Sequence, residues 1–412
     1  MDLVDTNCII PEDVFRDILS RLPVRNLLQF RCVSKSWCAL IDDPTFIQTH
    51  YNAQYALHKV HGDLPKLLWK HLLTIRRIYP IQCHLLSKQH GDDTVLNLTP
   101  DVERLTNSIF PNHPYISFDV FCRGIANGII CLQFRGMDVK QLGRGFFSCG
   151  LWNPASREVK IVAFPHLPDQ RTRIPGGFGF DVVGFGFDPV SNDYKIVAII
   201  PVKSDIVLLY MVYSLSTDFW KRVCQPSLLG INATVRCPGM DACFNGVHYW
   251  IANLLNNEYD PKIFRILSYN FSTEVFRFSD PPQGALPPVG YNSDKVMWNI
   301  GLHNESIALF FIRTAGEASV DIWTATEFED GDFGAPLAWQ CLISIKPIIE
   351  RLGSWVGAQR MNGDLLFSMF DCELSLYNPT TGQFRRMGIN FDICFGYVES
   401  LFPLSRRVVV LT

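Results

Sequence analysis

The feature that most constrains the fold is a pair of sequence markers that recur at regular intervals over most of the chain. One marker is an asparagine set between apolar runs, and the other is a large aromatic residue. The copies are Asn127, Asn192, Asn245, Asn304 and Asn362 for the first, and Trp152, Tyr213, Tyr269, Trp323 and Tyr377 for the second. Successive asparagines lie 65, 53, 59 and 58 residues apart, and successive aromatics lie 61, 56, 54 and 54 apart. This shared period predicts a repeated supersecondary unit that buries its apolar faces against its neighbours.

Each repeat predicts four short strands. Asn-Gly pairs at 127–128, 245–246 and 362–363 favour tight hairpins, because a type I′ turn needs positive φ at both central residues. In the third repeat, the predicted strands are Asp241–Phe244, Val247–Ala252, Phe264–Asn270 and Glu274–Phe278. Four strands in a period of this size are typical of a β-propeller blade.

A constant pattern follows the aromatic marker and predicts a strand, a turn and a second strand. Four of the five aromatics have a Ser or Thr four residues later, at Ser156, Thr217, Thr273 and Thr381. The same four have a large or β-branched apolar residue seven later, at Val159, Trp220, Phe276 and Phe384. The copy at Trp323 departs from this pattern, because an acidic segment intervenes before Trp339. We interpret Glu327–Ala338 as a loop insertion.

Five full blades can be counted, and the remaining strand-like segments predict a sixth. Leu67–Arg76 and Ile81–Ser87 precede the repeats, and Tyr397–Leu404 and Arg407–Leu411 follow them. A sixth blade built from both ends of the domain would close the ring and remove exposed sheet edges. A β-sandwich, or two smaller β-domains, is the alternative architecture.

Residues 9–50 predict short helices instead. Pro11 suits a first helical position, and Val14, Ile18 and Leu22 recur on one helical face before Pro23 ends the helix. Two further apolar sets follow, at Leu27, Leu28, Phe30 and Val33 and at Trp37, Leu40, Ile41 and Phe46, with a break predicted at Pro44. Three such helices bury too little surface to be stable alone, which indicates a docking element for a partner. The predicted organisation is a tail at 1–8, a helical module at 9–50, a linker at 51–64 and a propeller at 65–412.

Composition excludes several classes of protein. A formal net charge of −3 argues against a general nucleic-acid binder, and no apolar run reaches the roughly 20 residues that a membrane helix needs. The polar, acidic segment Met1–Asn7 does not resemble a secretory signal, so we expect a cytosolic or nuclear protein. None of the 13 cysteines forms a CxxC pair, so no zinc or redox site is predicted. Reduced, buried thiols are expected, for example at Cys131, Cys243 and Cys341.

Motifs for catalysis or cofactor binding are also absent from the sequence. The glycine cluster Gly176–Gly186 lacks G-x-G-x-x-G, since position 182 is Val. Gly145 and Gly150 flank Ser148 at a spacing one residue too long for a nucleophile elbow. The sequence therefore predicts no catalytic, metal or cofactor site.

Three blocks near the N-terminus resemble the F-box in order and spacing. They are Ile10–Val14, Ile18–Pro23 and Arg31–Trp37, with Ile10 at a position where Leu is usual. The rest of the chain resembles the F-box-associated region of plant F-box proteins, a layout that S-locus F-box proteins share. The matching phrases include 127–132, 151–154, 184–188, 212–215 and 397–401. Only Gly176-Gly177 provides the double glycine of a true kelch repeat, so the blades are kelch-like at most.

The resemblance implies a small all-α three-helix F-box followed by an all-β propeller of about six blades. It further implies a non-catalytic, substrate-recognising subunit of a Skp–cullin–F-box ubiquitin ligase. The F-box would bind a Skp-family adaptor and, through it, a cullin, while the propeller would bind an unidentified protein for ubiquitination. The expected adaptor-binding residues are Pro11, Ile18, Leu19, Leu22, Pro23, Leu27, Val33 and Trp37. A non-degradative interaction scaffold and a propeller enzyme are the alternatives.

The expected substrate site follows from the topology of an up-and-down blade, in which alternate connections share one face. The connections between first and second strands are tight, and those between third and fourth are short except at Glu327–Ala338. The long connections therefore share the other face, and long loops on a rigid scaffold commonly carry recognition. They are Arg135–Ser148, His166–Phe180, Gln225–Gly239, Leu254–Lys262 and Pro281–Lys295. We expect substrate contacts at Arg171, Arg173, Glu258, Tyr259 and Asp260.

Overall fold

The computed structural model comprises an N-terminal helical module and a six-bladed β-propeller. It describes residues 11–60, 66–70, 82–89, 92–109, 116–138, 145–164, 182–202, 207–223, 233–254, 264–285, 296–303, 306–313, 319–326, 337–346, 352–359, 364–369, 373–391, 393–404 and 409–410. The helices are α1 Glu12–Ser20, α2 Val24–Phe30, α3 Lys35–Ile41, α4 Pro44–Val60 and α5 Thr99–Ile109.

Helix α4 is longer than the sequence predicts. Pro44 occupies its first position rather than breaking the chain, and the Asp43 carboxylate accepts hydrogen bonds from the N–H groups of Thr45 and Phe46. A capped N-terminus with proline at the first position is a stable start for a helix. The helix continues to Val60, so residues 51–60 of the predicted linker are helical.

Six antiparallel sheets make up the propeller. The strands are β1 Lys66–Lys70, β2 Gln82–Gln89, β3 Asp92–Asn97, β4 Ile116–Ala126, β5 Ile129–Asp138, β6 Gly145–Asn153, β7 Glu158–Ala163, β8 Val182–Asp188, β9 Asp193–Val202, β10 Val207–Ser214, β11 Phe219–Val223, β12 Ala233–Phe244, β13 Val247–Leu254, β14 Phe264–Asn270, β15 Val275–Ser279, β16 Val296–His303, β17 Ser306–Arg313, β18 Ser319–Thr326, β19 Ala338–Ile345, β20 Leu352–Gln359, β21 Leu365–Met369, β22 Glu373–Asn378, β23 Gln383–Asn390, β24 Ile393–Gly396 and β25 Val409–Val410.

The blades follow one another in chain order around the ring. Strands β4–β7 form blade 1, β8–β11 blade 2, β12–β15 blade 3, β16–β19 blade 4 and β20–β23 blade 5. Blade 6 has the order β24-β1-β2-β3. The innermost strands are β4, β8, β12, β16, β20 and β24, and each contacts the next, with β24 returning to β4. The predicted six-bladed propeller is therefore confirmed.

The ring closes through a strand that the sequence analysis did not predict. Ile393–Gly396 supplies the innermost strand of blade 6 and pairs antiparallel with Lys66–Trp69 of β1. The predicted strand Tyr397–Leu404 is wrong, because this segment is irregular in the structure. The assignment of Arg407–Leu411 to the sixth blade is also wrong, since Val409 and Val410 pair with the outer edge of β7 in blade 1. Helix α5 and strand β3 were likewise unpredicted.

The aromatic marker corresponds to cross-strand pairs in the outer half of blades 1, 2, 3 and 5. Residues seven apart face each other directly, as Trp152–Val159, Tyr213–Trp220, Tyr269–Phe276 and Tyr377–Phe384. The aromatic–aromatic pairs have ring centroids 4.5–5.4 Å apart, within the range of favourable contact. In blade 4, Trp323 instead faces Cys341, because the register of the pairing shifts there.

A buried ion pair joins the turns of blades 2 and 3. Lys195 Nζ lies 2.8 Å from Asp188 Oδ2 and donates to the carbonyl oxygen of Phe271 at 2.9 Å. The hydroxyls of Ser191 and Ser272 also donate to the Asp188 carboxylate. Burial would raise the pKa of Asp188, but these donors outweigh it and hold the pKa well below its usual value.

Asp188→Asn is expected to destabilise the propeller by about 2 kcal/mol at neutral pH, because it removes the nearer of the two carboxylates that face the buried Lys195 ammonium and leaves only Glu274, at 3.4 Å. The native carboxyl has the lower pKa, so its contribution is present above the unfolded-state pKa of about 3.9 and is lost as pH falls towards the native value. Urea unfolding of both proteins should therefore give a difference at pH 7 that shrinks below about pH 4. Glu12→Gln, which removes an exposed ion pair with Arg16, is the control and should change little. A difference that does not depend on pH would contradict the assignment.

Candidate interaction surfaces

The helical module, here α1–α4, has a compact apolar core. Leu19, Val24, Leu27, Ile41 and Phe46 are buried together in it. All four helices contribute side chains to this core. The module is therefore a folded unit whose surface can be divided into a covered side and a free side.

Helix α4 holds the connection between α1 and α2. His50 Nε2 lies 2.8 Å from the carbonyl oxygen of Leu22, and Gln54 Nε2 donates to the carbonyls of Ser20 and Leu22 at 3.1 and 3.2 Å. Burial lowers the pKa of His50 despite that contact, which favours a neutral ring. The carbonyls that α1 leaves unpaired at its C-terminal end are thus satisfied by side chains from α4.

Three apolar side chains of the module are left at its surface. Val14 is 45% exposed, Ile18 46% and Val33 63%. Trp37 is half-buried against the module's core, with its ring 5.1 Å from that of Phe15 in an edge-to-face contact. An apolar surface on a small helical module is typical of a docking site.

The structure separates the predicted adaptor residues into three groups. Ile18, Val33, Pro11 and Pro23 are exposed, while Leu22 and Trp37 are half-buried. Leu19 and Leu27 are buried in the core, so a partner cannot reach them in this conformation and they support the surface from below. Val14, which was not among the predicted residues, is exposed one helical turn before Ile18 on α1.

The covered side of the module lies against the C-terminal segment Tyr397–Leu404. Leu401 is buried in the module's own core, and the Phe402 ring lies 5.9 Å from the rings of both Tyr51 and Tyr194. Tyr51 belongs to α4 and Tyr194 to blade 2, so Phe402 bridges the two domains.

Hydrogen bonds fix the same segment to blade 1. Asn153 Nδ2 donates to the carbonyls of Ser400 and Phe402 at 3.0 and 3.1 Å, and the Leu404 N–H donates to Glu158 at 3.1 Å. Residues 397–404, here called the C-terminal clamp, form an irregular segment that contacts both the module and the propeller.

The module occupies the face of the propeller that carries the tight turns. Gly128 in the β4–β5 turn lies against Val398 and Ser400, and Ala155 in the β6–β7 turn packs on the module's core. A cleft of about 1060 Å³ separates the start of α4 from the turns of blade 2. Its polar lining is already paired in part, since Lys160 lies 2.9 Å from Asp218 and the Asp193 carboxylate accepts from Ser214 and Ser216.

The opposite face carries the connections between second and third strands and between blades. Its predicted substrate residues, Arg171, Arg173, Glu258, Tyr259 and Asp260, lie outside the described residues. The connection predicted at Arg135–Ser148 is shorter than expected, because β5 extends to Asp138 and β6 begins at Gly145. Similarly, β12 begins at Ala233, so Gln225–Gly239 is partly strand.

Comparison with known families agrees with this arrangement. The F-box domain profile matches residues 8–49, and the profile of the F-box associated beta propeller domain matches residues 146–360. The chain belongs to this family of F-box proteins.

Relatives of this F-box protein are found in Arabidopsis thaliana. Putative F-box protein At1g47390 is 26% identical over 289 residues, which cover 67% of this chain and 61% of the relative. F-box protein CPR1 is 30% identical over 227 residues, covering 52% and 45% respectively. The chain therefore spans less than two thirds of the length of both.

A solved structure also overlaps in part. It is the catalytic domain of a Coprinopsis cinerea GH62 alpha-L-arabinofuranosidase, with 10% identity, 64% of this chain and 85% of that chain covered and a TM-score of 0.31. The similarity is too low to transfer any function.

His248 and Asp241 of the F-box protein form a buried pair of residue types that are common in catalytic sites. His248 Nε2 lies 2.9 Å from Asp241 Oδ2, and His248 Nδ1 lies 3.3 Å from the carbonyl oxygen of Phe185. Both ring nitrogens therefore face oxygen atoms, and neither is available to activate Cys243 on the adjacent strand. Burial also raises the pKa of that thiol to about 12, which disfavours the thiolate. The contact of His248 with the Phe185 carbonyl links blade 3 to blade 2.

Among the described residues, no group of three His, Cys, Asp or Glu side chains is placed to hold a metal ion. None of the helices in these ranges is both long and apolar enough to cross a membrane. Cys131 is buried, as predicted, and burial raises its pKa. Cys341 was expected to be buried but is exposed, because β19 is the outer strand of its blade.

Proposed function

We propose that this F-box protein is the substrate-recognition subunit of a Skp–cullin–F-box ubiquitin ligase. The observation that carries the proposal is the exposed apolar surface of Val14, Ile18 and Val33 on a module whose other side is covered by the propeller. A Skp-type adaptor would bury this surface and connect the chain to a cullin.

The joint between the domains suits such a role. The C-terminal clamp inserts Leu401 into the module and is hydrogen-bonded to blade 1 through Asn153, so the propeller has a defined orientation relative to the F-box. A protein bound to the propeller would be held at a fixed distance from the ubiquitin-charged partner of the ligase. Fixed proximity raises the effective concentration of its lysines, and no catalysis by this chain is needed.

The face opposite the module is the proposed substrate site. The tight-turn face is partly covered by α4 and the C-terminal clamp, whereas the strand ends that the long connections join lie on the other side. We assign substrate contacts to that face, including Arg171, Arg173, Glu258, Tyr259 and Asp260.

Affinity purification of the full chain tests the adaptor half of the proposal. Val33→Asp places a charge on the exposed apolar surface and should weaken adaptor binding on the order of 30-fold, the usual cost of losing one interface anchor. Val190→Asp is the matched control, because Val190 is 81% exposed on a turn of blade 2. Equal adaptor recovery from both variants, measured by quantitative mass spectrometry, would contradict the proposal.

The same purification tests the substrate half. Exchanging residues 166–180 and 255–262 for short Gly/Ser linkers should leave the adaptor bound and remove proteins that accumulate on proteasome inhibition. If those proteins persist, and disruption of 327–336 removes them instead, the face is assigned wrongly. Bound proteins that do not respond to proteasome inhibition would indicate a non-degradative scaffold.

A further inference from the structure

The cleft between the helical module and blade 2 is enclosed by three parts of the fold. Its walls are the start of α4, two turns of blade 2 and the C-terminal clamp, through residues within 44–49, 192–194, 215–218 and 402–404. Its volume of about 1060 Å³ is at the upper end of the range for small-molecule sites, which commonly lie between domains. The enclosure therefore suits a small organic ligand better than the flat surface of a folded protein.

One side of the cleft is aromatic. Phe187, Tyr194 and Phe402 all line it, with ring centroids 5.0 Å apart for the first two and 5.9 Å apart for the last two. Ile47 and Leu215 add aliphatic surface. Aromatic rings attract cations electrostatically, and they also pack well against an apolar group. This side of the cleft therefore favours a ligand that combines an apolar body with a positive charge.

The charged side chains in the lining are three carboxylates and one ammonium, from Asp42, Asp193, Asp218 and Lys160. Two of the carboxylates have a cation beside them. Asp42 lies 3.0 Å from Arg31, and Asp218 lies 2.9 Å from Lys160. The ammonium in the lining is thus already paired, and the third carboxylate has to be considered separately.

Asp193 is the carboxylate that has no cation. It is 5% exposed and accepts hydrogen bonds from the Ser214 hydroxyl at 2.6 Å and the Ser216 N–H at 2.9 Å. Among the described residues no lysine, arginine or histidine forms an ion pair with it, and Lys195, two positions later on β9, lies 2.8 Å from Asp188 instead. A buried carboxylate without a positive partner is costly, and a bound cation would remove that cost.

We propose that this cleft binds a small organic ammonium ion, whose N–H groups donate to Asp193 and whose apolar body lies against Tyr194 and Phe402. The ammonium balances the carboxylate that the protein leaves without a counterion. A neutral or anionic ligand of the same shape would not. Because the walls of the cleft belong to both domains, the bound ligand also stabilises the seating of the F-box on the propeller.

Ligand-observed NMR titration of the full chain tests the charge requirement. The probes are phenethylammonium, phenethyl alcohol and phenylacetate, which share an aromatic body and differ in charge. The ammonium is expected to bind at least about tenfold more tightly than either of the others, because it alone makes a charge-assisted hydrogen bond to the carboxylate. Equal affinities for the three probes, or no binding of the ammonium up to about 10 mM, would overturn the proposal.

Substitutions on two walls of the cleft locate the site. Asp193→Asn keeps an acceptor for the Ser216 N–H but removes the charge, and should weaken phenethylammonium binding about tenfold. Asp364→Asn, at a buried carboxylate of blade 5 that accepts from Asn378, is the matched control and should bind like the wild type.

A variant on the α4 wall keeps the test decisive if Asp193→Asn does not fold. Thr49→Lys replaces an exposed residue of the lining with a competing ammonium and should abolish binding, whereas Thr380→Lys, on an exposed turn of blade 5, should not. Unchanged binding in Thr49→Lys, or an equal loss in the two controls, would place the probe elsewhere and contradict the proposal.

A fourth probe separates a free small molecule from a side chain of a partner protein. Acetyl-lysine amide with a free side-chain ammonium carries the same charge on an aliphatic chain, as a lysine of a bound protein would. It should bind about tenfold more weakly than phenethylammonium, because it lacks the aromatic body that packs against Tyr194 and Phe402. Equal or tighter binding would assign the cleft to a lysine of a bound protein and overturn the small ligand.

Discussion

A chain that ends at Gly396 is expected to retain a closed propeller, whereas a chain that ends at Asn390 is expected not to fold. The chain that ends at Asn390 lacks β24, which is the innermost strand of blade 6 and contacts the innermost strands of blades 5 and 1. It exposes the inner edge of β1 and leaves the positions of Ile393 and Cys394, both buried, empty at the ring closure. The loss of this innermost strand opens the ring and leaves the inner edge of β1 unprotected.

The chain that ends at Gly396 lacks only the C-terminal clamp and the residues after it. All six blades keep four strands, so we expect soluble protein with a strand-dominated far-ultraviolet circular dichroism spectrum and a lowered melting temperature. The chain ending at Asn390 should instead accumulate in the insoluble fraction. If both proteins are soluble with the same melting temperature, closure does not depend on Ile393–Gly396. If both are insoluble, the residues after Gly396 are themselves needed for the fold, which contradicts the expectation for the chain that ends at Gly396.

These truncations also show what the sequence could reveal about closure. Tyr397–Leu404 was predicted as a strand of the sixth blade, and its apolar residues Tyr397, Val398, Leu401 and Leu404 are all buried. Burial in an irregular segment between two domains leaves the same compositional signal as burial in a strand. The true closing strand has only four residues, too few to show alternation.

The repeat was predictable because its markers report local geometry. Asn127, Asn192 and Asn245 all have positive φ, as the turns require. The Ser or Thr four residues after each aromatic marks a turn capped by the residue that directly follows the aromatic. Asn270 Oδ1, for example, accepts from the N–H groups of Ser272 and Thr273. Because such contacts join residues only two or three positions apart, the local sequence is enough to predict them.

Which apolar residues of the helical module are exposed was only partly predictable, for a physical reason. Ile18 and Leu19 are adjacent apolar residues on α1, but Leu19 is buried and Ile18 is exposed. Which of two neighbouring apolar lines becomes the core is decided by the elements that pack against it. Here these are α4, of which residues 51–60 were predicted as a linker, and Leu401, more than 350 residues away along the chain.

The contribution of Leu401 leads to the second large effect. Leu401→Asp is expected to destabilise the helical module by about 4 kcal/mol, because it both removes an apolar side chain from a packed core and places a carboxylate among Leu27, Ile41 and Phe46. The propeller should be affected much less, since the ring closes through β24 and the clamp lies outside it. The module would then open without the rest of the fold.

Native-state hydrogen exchange followed by mass spectrometry distinguishes this outcome from general unfolding. Peptides from α1–α4 should exchange at least a hundredfold faster in Leu401→Asp, the factor that corresponds to about 3 kcal/mol of lost local stability, while peptides from β12–β19 keep their protection. Leu302→Asp is the control, because Leu302 is 40% exposed on blade 4 and contributes to no such core. Unchanged protection of the α1–α4 amides would mean that the module folds without the clamp, and the fixed orientation of F-box and propeller would then lose its structural basis.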